Sequence, residues 1–101
     1  MVDKKEAFVE QLKKKYDHLN YLWNIERNKL EAGAQHESAE VIKKFEEKRE
    51  RFRNLRGDMK AKIKALDLAG ESAWGDMKDG AEEAWKALAE AFEKASSHFK
   101  K

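Results

Sequence analysis

Residues 45–72 read FEEKRERFRNLRGDMKAKIKALDLAGES, and within them Phe45, Phe52, Met59 and Leu66 recur every seven residues. Seven residues are close to two helical turns, so these four side chains share one stripe of a helix while the charged residues between them cover the rest of its surface. Val41 or Ile42, Leu55 and Ile63 flank the stripe. The rhythm stops at Ala69-Gly70, where glycine suits a helix stop and Ser72 suits the cap of a new helix. A helix over 38–69 and a turn over 68–72 are therefore predicted.

Beyond the turn, Trp74, Met77, Ala81, Trp85, Leu88, Phe92, Ala95 and Phe99 fall on one face of a third segment, predicted as a helix over 72–100. Ala73-Trp74 and Ala84-Trp85 lie eleven residues apart and Phe92 and Phe99 follow at seven, which is one hendecad leading into heptads. Gly75 and Gly80 each cost about 1 kcal/mol relative to alanine inside a helix, and so predict either close backbone approach or a loose first turn. If this helix folds back on the second, facing residues have numbers that sum to about 140. Leu66 then faces Trp74, Met59 faces Ala81, Leu55 faces Trp85, Phe52 faces Leu88 and Phe45 faces Ala95, with Lys48 against Phe92 as the mismatch. The same register sets a basic run over 43–64 beside an acidic run over 71–93, so charge pairing between these helices is expected.

Upstream, Phe8, Leu12, Tyr16, Leu19, Trp23 and Leu30 follow at steps of three, four or seven, broken only by Glu26. Asp3 and Glu6 have the spacing of a capping box, which predicts a first helix over about 4–32. At residues 33–38 two continuations are open. Gly33 can act as a left-handed cap and Ser38 can start the next helix, giving an up-down-up bundle in which the first two helices pair with sums near 71. Leu19 then faces Phe52 and Tyr16 faces Leu55, while Glu26 against Phe45 and Trp23 against Lys48 are mismatched. Alternatively one helix runs over 4–69 with 72–101 folded on its second half, which leaves the aromatic stripe of residues 8–30 bare and demands a dimer. Either way the fold class is all-α, an antiparallel coiled-coil-like arrangement in a single helical domain over 1–101.

Composition agrees with helix and narrows the chemistry. Charged residues make up 42% of the 101, with Pro, Cys and Thr absent and only six Val and Ile together, which excludes a sheet protein. Without cysteine there are no disulfides, thiolate metal sites or thiol nucleophiles. No stretch has the apolar length of a signal sequence or a membrane span, so a soluble, cytoplasmic protein is expected. His18, His36 and His98 form neither a HExxH nor an ExxH pair, and Asp76, Asp79 and Glu83 are explained by the dipole of the helix they begin, so no metal is expected. The glycines belong to no phosphate loop and the serines at 38, 72, 96 and 97 sit where helix ends are expected, so neither a cofactor, a small-molecule substrate nor an enzymatic activity is read from the chain.

What remains are surfaces. Trp74, Met77, Trp85, Leu88, Phe92 and Phe99 form a candidate packing or interaction face, and Arg49, Arg51, Arg53, Arg56 and Lys60 a candidate basic face. Interspersed Glu46, Glu47 and Glu50 and the acidic third helix favour an internal or inter-subunit role for that basic face over nucleic-acid binding. The aromatic third helix also fits a lipid surface, although its acidic polar face would be repelled by anionic membranes.

The pattern AW-x3-K-x-G-x-E-x-AW-x2-L-x2-AF-x-KA-x-S-x-F, from Ala73 to Phe99, resembles the C-terminal part of a stress-response family of short bacterial coiled-coil proteins known from cyanobacteria and other bacteria. Over the rest of the chain the likeness is compositional. The resemblance implies a cytoplasmic helical protein linked to stress, without enzymatic activity, cofactor or binding residues to carry over. A self-associating structural or protein–protein interaction protein is therefore the leading expectation, with Tyr21, Leu22 and Ile25 beside the seam as its motive. A peripheral lipid-surface protein is the second.

Overall fold

A computed structural model describes residues 4–97 as three long helices, α1 (Lys4–Ala34), α2 (Ala39–Leu68) and α3 (Glu71–Ser96), packed into a bundle of 53 × 21 × 19 Å. There is no strand among the described residues. At 1.5 Å per residue the helices of 31, 30 and 26 residues are about 39–47 Å long, so each spans most of the long axis. Asp3, the expected cap of α1, lies outside the described residues, as do His98 and Phe99.

The bundle decides between the two continuations at residues 33–38: the long helix over 4–69 is overturned. Ser38 takes an extended backbone and its hydroxyl accepts from the Val41 amide at 3.3 Å, which caps α2 and satisfies one of its orphan donors. Gly33, however, is not a left-handed cap. It stays in helix, no described residue has positive φ, and the chain leaves through His36 N–H to Gly33 O and Glu37 N–H to Ala34 O. Gly33 and Ala34 are both half-buried, so extending α1 by this turn keeps it packed.

At the second turn the chain reverses through Ala69 and Gly70 alone, both extended, with Gly70 as the cap of α3. Ser72, expected to cap, sits inside the first turn behind Glu71, whose carboxylate suits the positive end of the helix dipole. Lys5 reaches across from α1 and donates to Asp67 O at 3.1 Å and Ala69 O at 2.8 Å. No basic residue lies in the last turn of α2, so a cation from a different helix neutralises its orphan carbonyls.

One core cluster runs the length of the bundle: Val9, Leu12, Leu19, Trp23 and Leu30 from α1, Phe45, Phe52, Met59, Ile63 and Leu66 from α2, and Ala81, Leu88, Ala91 and Ala95 from α3. The seven-residue repeat of α2 is the innermost part. The two mismatches at Lys48 resolve together. Helical side chains lean toward their own N-terminus. Trp23 and Phe92 therefore drop by about one turn from Lys48 onto Phe52, with ring centroids 4.4 and 5.9 Å from the Phe52 ring and 6.3 Å from each other.

α3 packs more closely against α2 than α1 packs against either. Ala81, Ala91 and Ala95 are buried, and small residues allow helix axes to approach. The bulky Trp85 and Phe92 border the groove toward α1, and Phe92 also reaches Phe52 of α2. In place of the expected pairing of Trp85 with Leu55, half-buried Trp85 lines both depressions between α1 and α3 while Leu55 borders a surface of α2 with Glu47, Glu50, Arg51 and Asn54. Gly75 and Gly80 are exposed within regular helix and a Cβ on either would meet nothing within 4 Å, so neither close approach nor a loose turn accounts for them.

Candidate functional site

The residues of the expected interaction face part company. Leu88 is fully buried and belongs to the core. Trp74 is half-buried with its ring 6.2 Å from Phe8, over which the Lys78 ammonium also sits at 5.5 Å. Met77 packs against the core from the same end. Trp85 and Phe92 remain half open to solvent and, with Leu19, Leu22 and Ala89, line an apolar groove of about 260 Å³ between α1 and α3, rimmed by Lys15, His18 and Glu93. A second depression adjoins it through Lys15 and Trp85 and extends toward Phe8, Leu12, Lys78 and Lys86. Ile25 and Tyr21, 38% and 63% exposed, continue the apolar surface of α1 beyond Leu22.

The expected basic face also divides. Arg49 bonds Glu31 of α1 at 3.4 Å and lies over the Phe45 ring, and Arg56 lies over the Phe52 ring at 5.6 Å. Arg53 pairs with Glu50 one turn away at 3.7 Å, and Lys60 is exposed. Arg49 and Arg53 thus find carboxylates on α1 and α2, where the 140 register led to α3. Arg51 leaves the set, because it borders a shallow surface of α2 with Glu47, Glu50, Asn54 and Leu55. Arg53, Arg56 and Lys60 come together with Tyr16, Asn20, Asn24 and Gly57 around a polar groove of about 490 Å³ between α1 and α2. Tyr16 anchors its wall by donating its hydroxyl to Arg56 O at 3.4 Å.

The α1 contributions to both grooves are what sequence reasoning missed. Leu22 had been placed beside the seam, but Asn20 and Asn24 carried no signal except that they flank it at helical spacing. Among the described residues no three His, Asp or Glu side chains are grouped to hold a metal ion, and no helix is long and apolar enough to cross a membrane. The chain matches no family model, no curated protein and no solved structure.

Proposed function

We propose that this chain is a non-catalytic helical protein that works by self-association through its α1/α3 face. The observation that carries the reading is the apolar groove of Leu19, Leu22, Trp85, Ala89 and Phe92, continued by exposed Ile25 and Tyr21, on a chain so rich in charge elsewhere. Contiguous apolar surface of this kind on a small bundle marks a contact region. The occupant that fits is a second copy. Lys86 and Glu93 lie seven residues apart on α3 with Ala89 between them. An antiparallel crossing of two α3 helices about Ala89 sets each Lys86 beside the Glu93 of the other copy, and the small side chain at the axis lets the helices approach. The face is one groove wide, which suits a reversible dimer of about micromolar affinity.

The resemblance of residues 73–99 to the stress-response family adds a place and a condition in which to look for the assembly, the cytoplasm of stressed cells. Light scattering over about three decades of concentration around micromolar tests the reading. Wild type should grow from monomer to dimer, Ala89→Glu should stay monomeric, and Lys86→Glu should weaken association that a second change, Glu93→Lys, restores. A wild-type chain that is monomeric throughout would sink it. A blue shift of tryptophan emission with lipid vesicles, in a chain that stays monomeric, would put the lipid surface in its place.

A further inference from the structure

The polar groove between α1 and α2 is independent of the self-association face and has a different chemistry. Its lining holds three cations, Arg53, Arg56 and Lys60, two carboxamides, Asn20 and Asn24, one phenol, Tyr16, and no carboxylate. Two ion pairs flank the groove, Lys13 with Asp67 at 3.2 Å toward one end and Arg49 with Glu31 at 3.4 Å toward the other. Arg53 has only the long contact to Glu50 across two well-exposed side chains, and no ion pair is made by Arg56 or Lys60 among the described residues. The half-buried Arg56 guanidinium lies over the Phe52 ring at 5.6 Å, a contact that favours the cation.

Asn20 belongs to the same lining and gives the site a local reporter. The Asn20 Oδ1 atom is shut off from solvent and has no hydrogen-bond partner. A buried polar atom left unpaired is costly, and a carboxamide offers an acceptor or two donors according to how it is turned. Tyr16 one turn before it and Asn24 one turn after it line the same groove.

We propose that this groove binds an oligophosphate anion, a ligand carrying two or more phosphoryl groups. Guanidinium and ammonium groups supply charge-assisted hydrogen bonds to phosphoryl oxygens, and the planar arginine fork suits them bidentately. More than one phosphoryl group is required by length, since Arg53 and Lys60 are seven residues apart, about 10 Å along the helix. Gly57 lies between them in the lining, where a Cβ would meet nothing within 4 Å, so the helix surface there is left low and the groove open.

Calorimetric titration of the whole chain with inorganic tripolyphosphate at low salt tests the proposal, with the Asn20 side-chain amide followed in parallel by nuclear magnetic resonance. Lys60→Gln and Gly57→Leu alter exposed positions and preserve the core, the first by removing a cation and the second by filling the groove. Each should weaken binding by about tenfold or more, as expected for loss of a charge-assisted bond or of access. Lys62→Gln makes the same charge change about 200° around the helix and should leave affinity unchanged. Orthophosphate should bind more weakly than tripolyphosphate, and the Asn20 amide should shift on binding. Equal losses in Lys60→Gln and Lys62→Gln, or no movement of the Asn20 amide, would reduce the effect to general attraction by a basic helix and overturn the site. Binding of an oligonucleotide that tripolyphosphate fails to displace would overturn it in favour of a nucleic-acid backbone.

Discussion

Replacing Trp23 by alanine should be among the costliest single changes in the chain. Its indole is only 3% exposed and bridges the other two helices, through Phe52 at 4.4 Å and Phe92 at 6.3 Å. Truncating a buried tryptophan costs about 3–5 kcal/mol, and loss of the aromatic pair is part of that sum. A domain of this size shifts its melting temperature by about 4–8 °C per kcal/mol, so a fall of at least about 12 °C is expected. Trp85→Ala should cost about half as much, since its ring is only half-buried in the α1/α3 groove. Tyr21→Ala, at 63% exposure, should stay within about 0.5 kcal/mol of wild type. Urea and thermal unfolding followed by circular dichroism, at concentrations low enough to keep the chain monomeric, measures all three. Trp23→Phe keeps a ring against Phe52 and secures a folded variant should Trp23→Ala melt below the accessible range. Trp23→Ala within about 1 kcal/mol of Tyr21→Ala would refute the three-ring centre of the bundle.

Gly75→Ala and Gly80→Ala should each stabilise by about 0.4–1 kcal/mol, because an added Cβ meets nothing and the unfolded chain loses freedom; a lower melting temperature would mean that bare backbone is needed there. Lys5→Met should cost about 1–2 kcal/mol by releasing the carbonyls of Asp67 and Ala69, whereas Lys5→Arg should recover most of it, both read from urea midpoints. No loss in Lys5→Met would show that the end of α2 is satisfied without α1.

The sequence made the helices legible because its repeat needs only local geometry. Phe45, Phe52, Met59 and Leu66 lie seven apart, and all four are in the deepest layer. The register sums placed Leu19, Phe52 and Leu88 at one level for the same reason, and all three are buried. What a stripe cannot give is the side on which the third helix lies. Phe92 and Trp23 were each set against Lys48 because residue levels ignore the lean of helical side chains, which carries both rings toward Phe52. Not knowing the side of the third helix put Trp85 on Leu55, whereas Trp85 lines the depressions between α1 and α3. Glu26, the break in the first stripe, is half-buried with its Oε2 atom closed to solvent, so it interrupts the seam in chemistry without leaving it in space. The basic groove was half visible: spacing found Arg53, Arg56 and Lys60, but their neighbours Asn20 and Asn24 come from a helix whose polar residues have no pattern of their own.

The contrast between a two-residue connection and a long-range clasp sets an order of events. α2 and α3 meet across Ala69 and Gly70, so their contacts close early, whereas α1 must bring Lys5 to a carbonyl 64 residues away. Such separation slows closure and leaves the late element the first to detach. Amide exchange should therefore be slower at the centres of α2 and α3 than along α1, and equal protection in all three would mark a single cooperative unit. When α1 lifts, the transient hairpin bares Trp74, Trp85 and Phe92 along one edge, so the first helix acts as a latch over the stickiest surface of the chain.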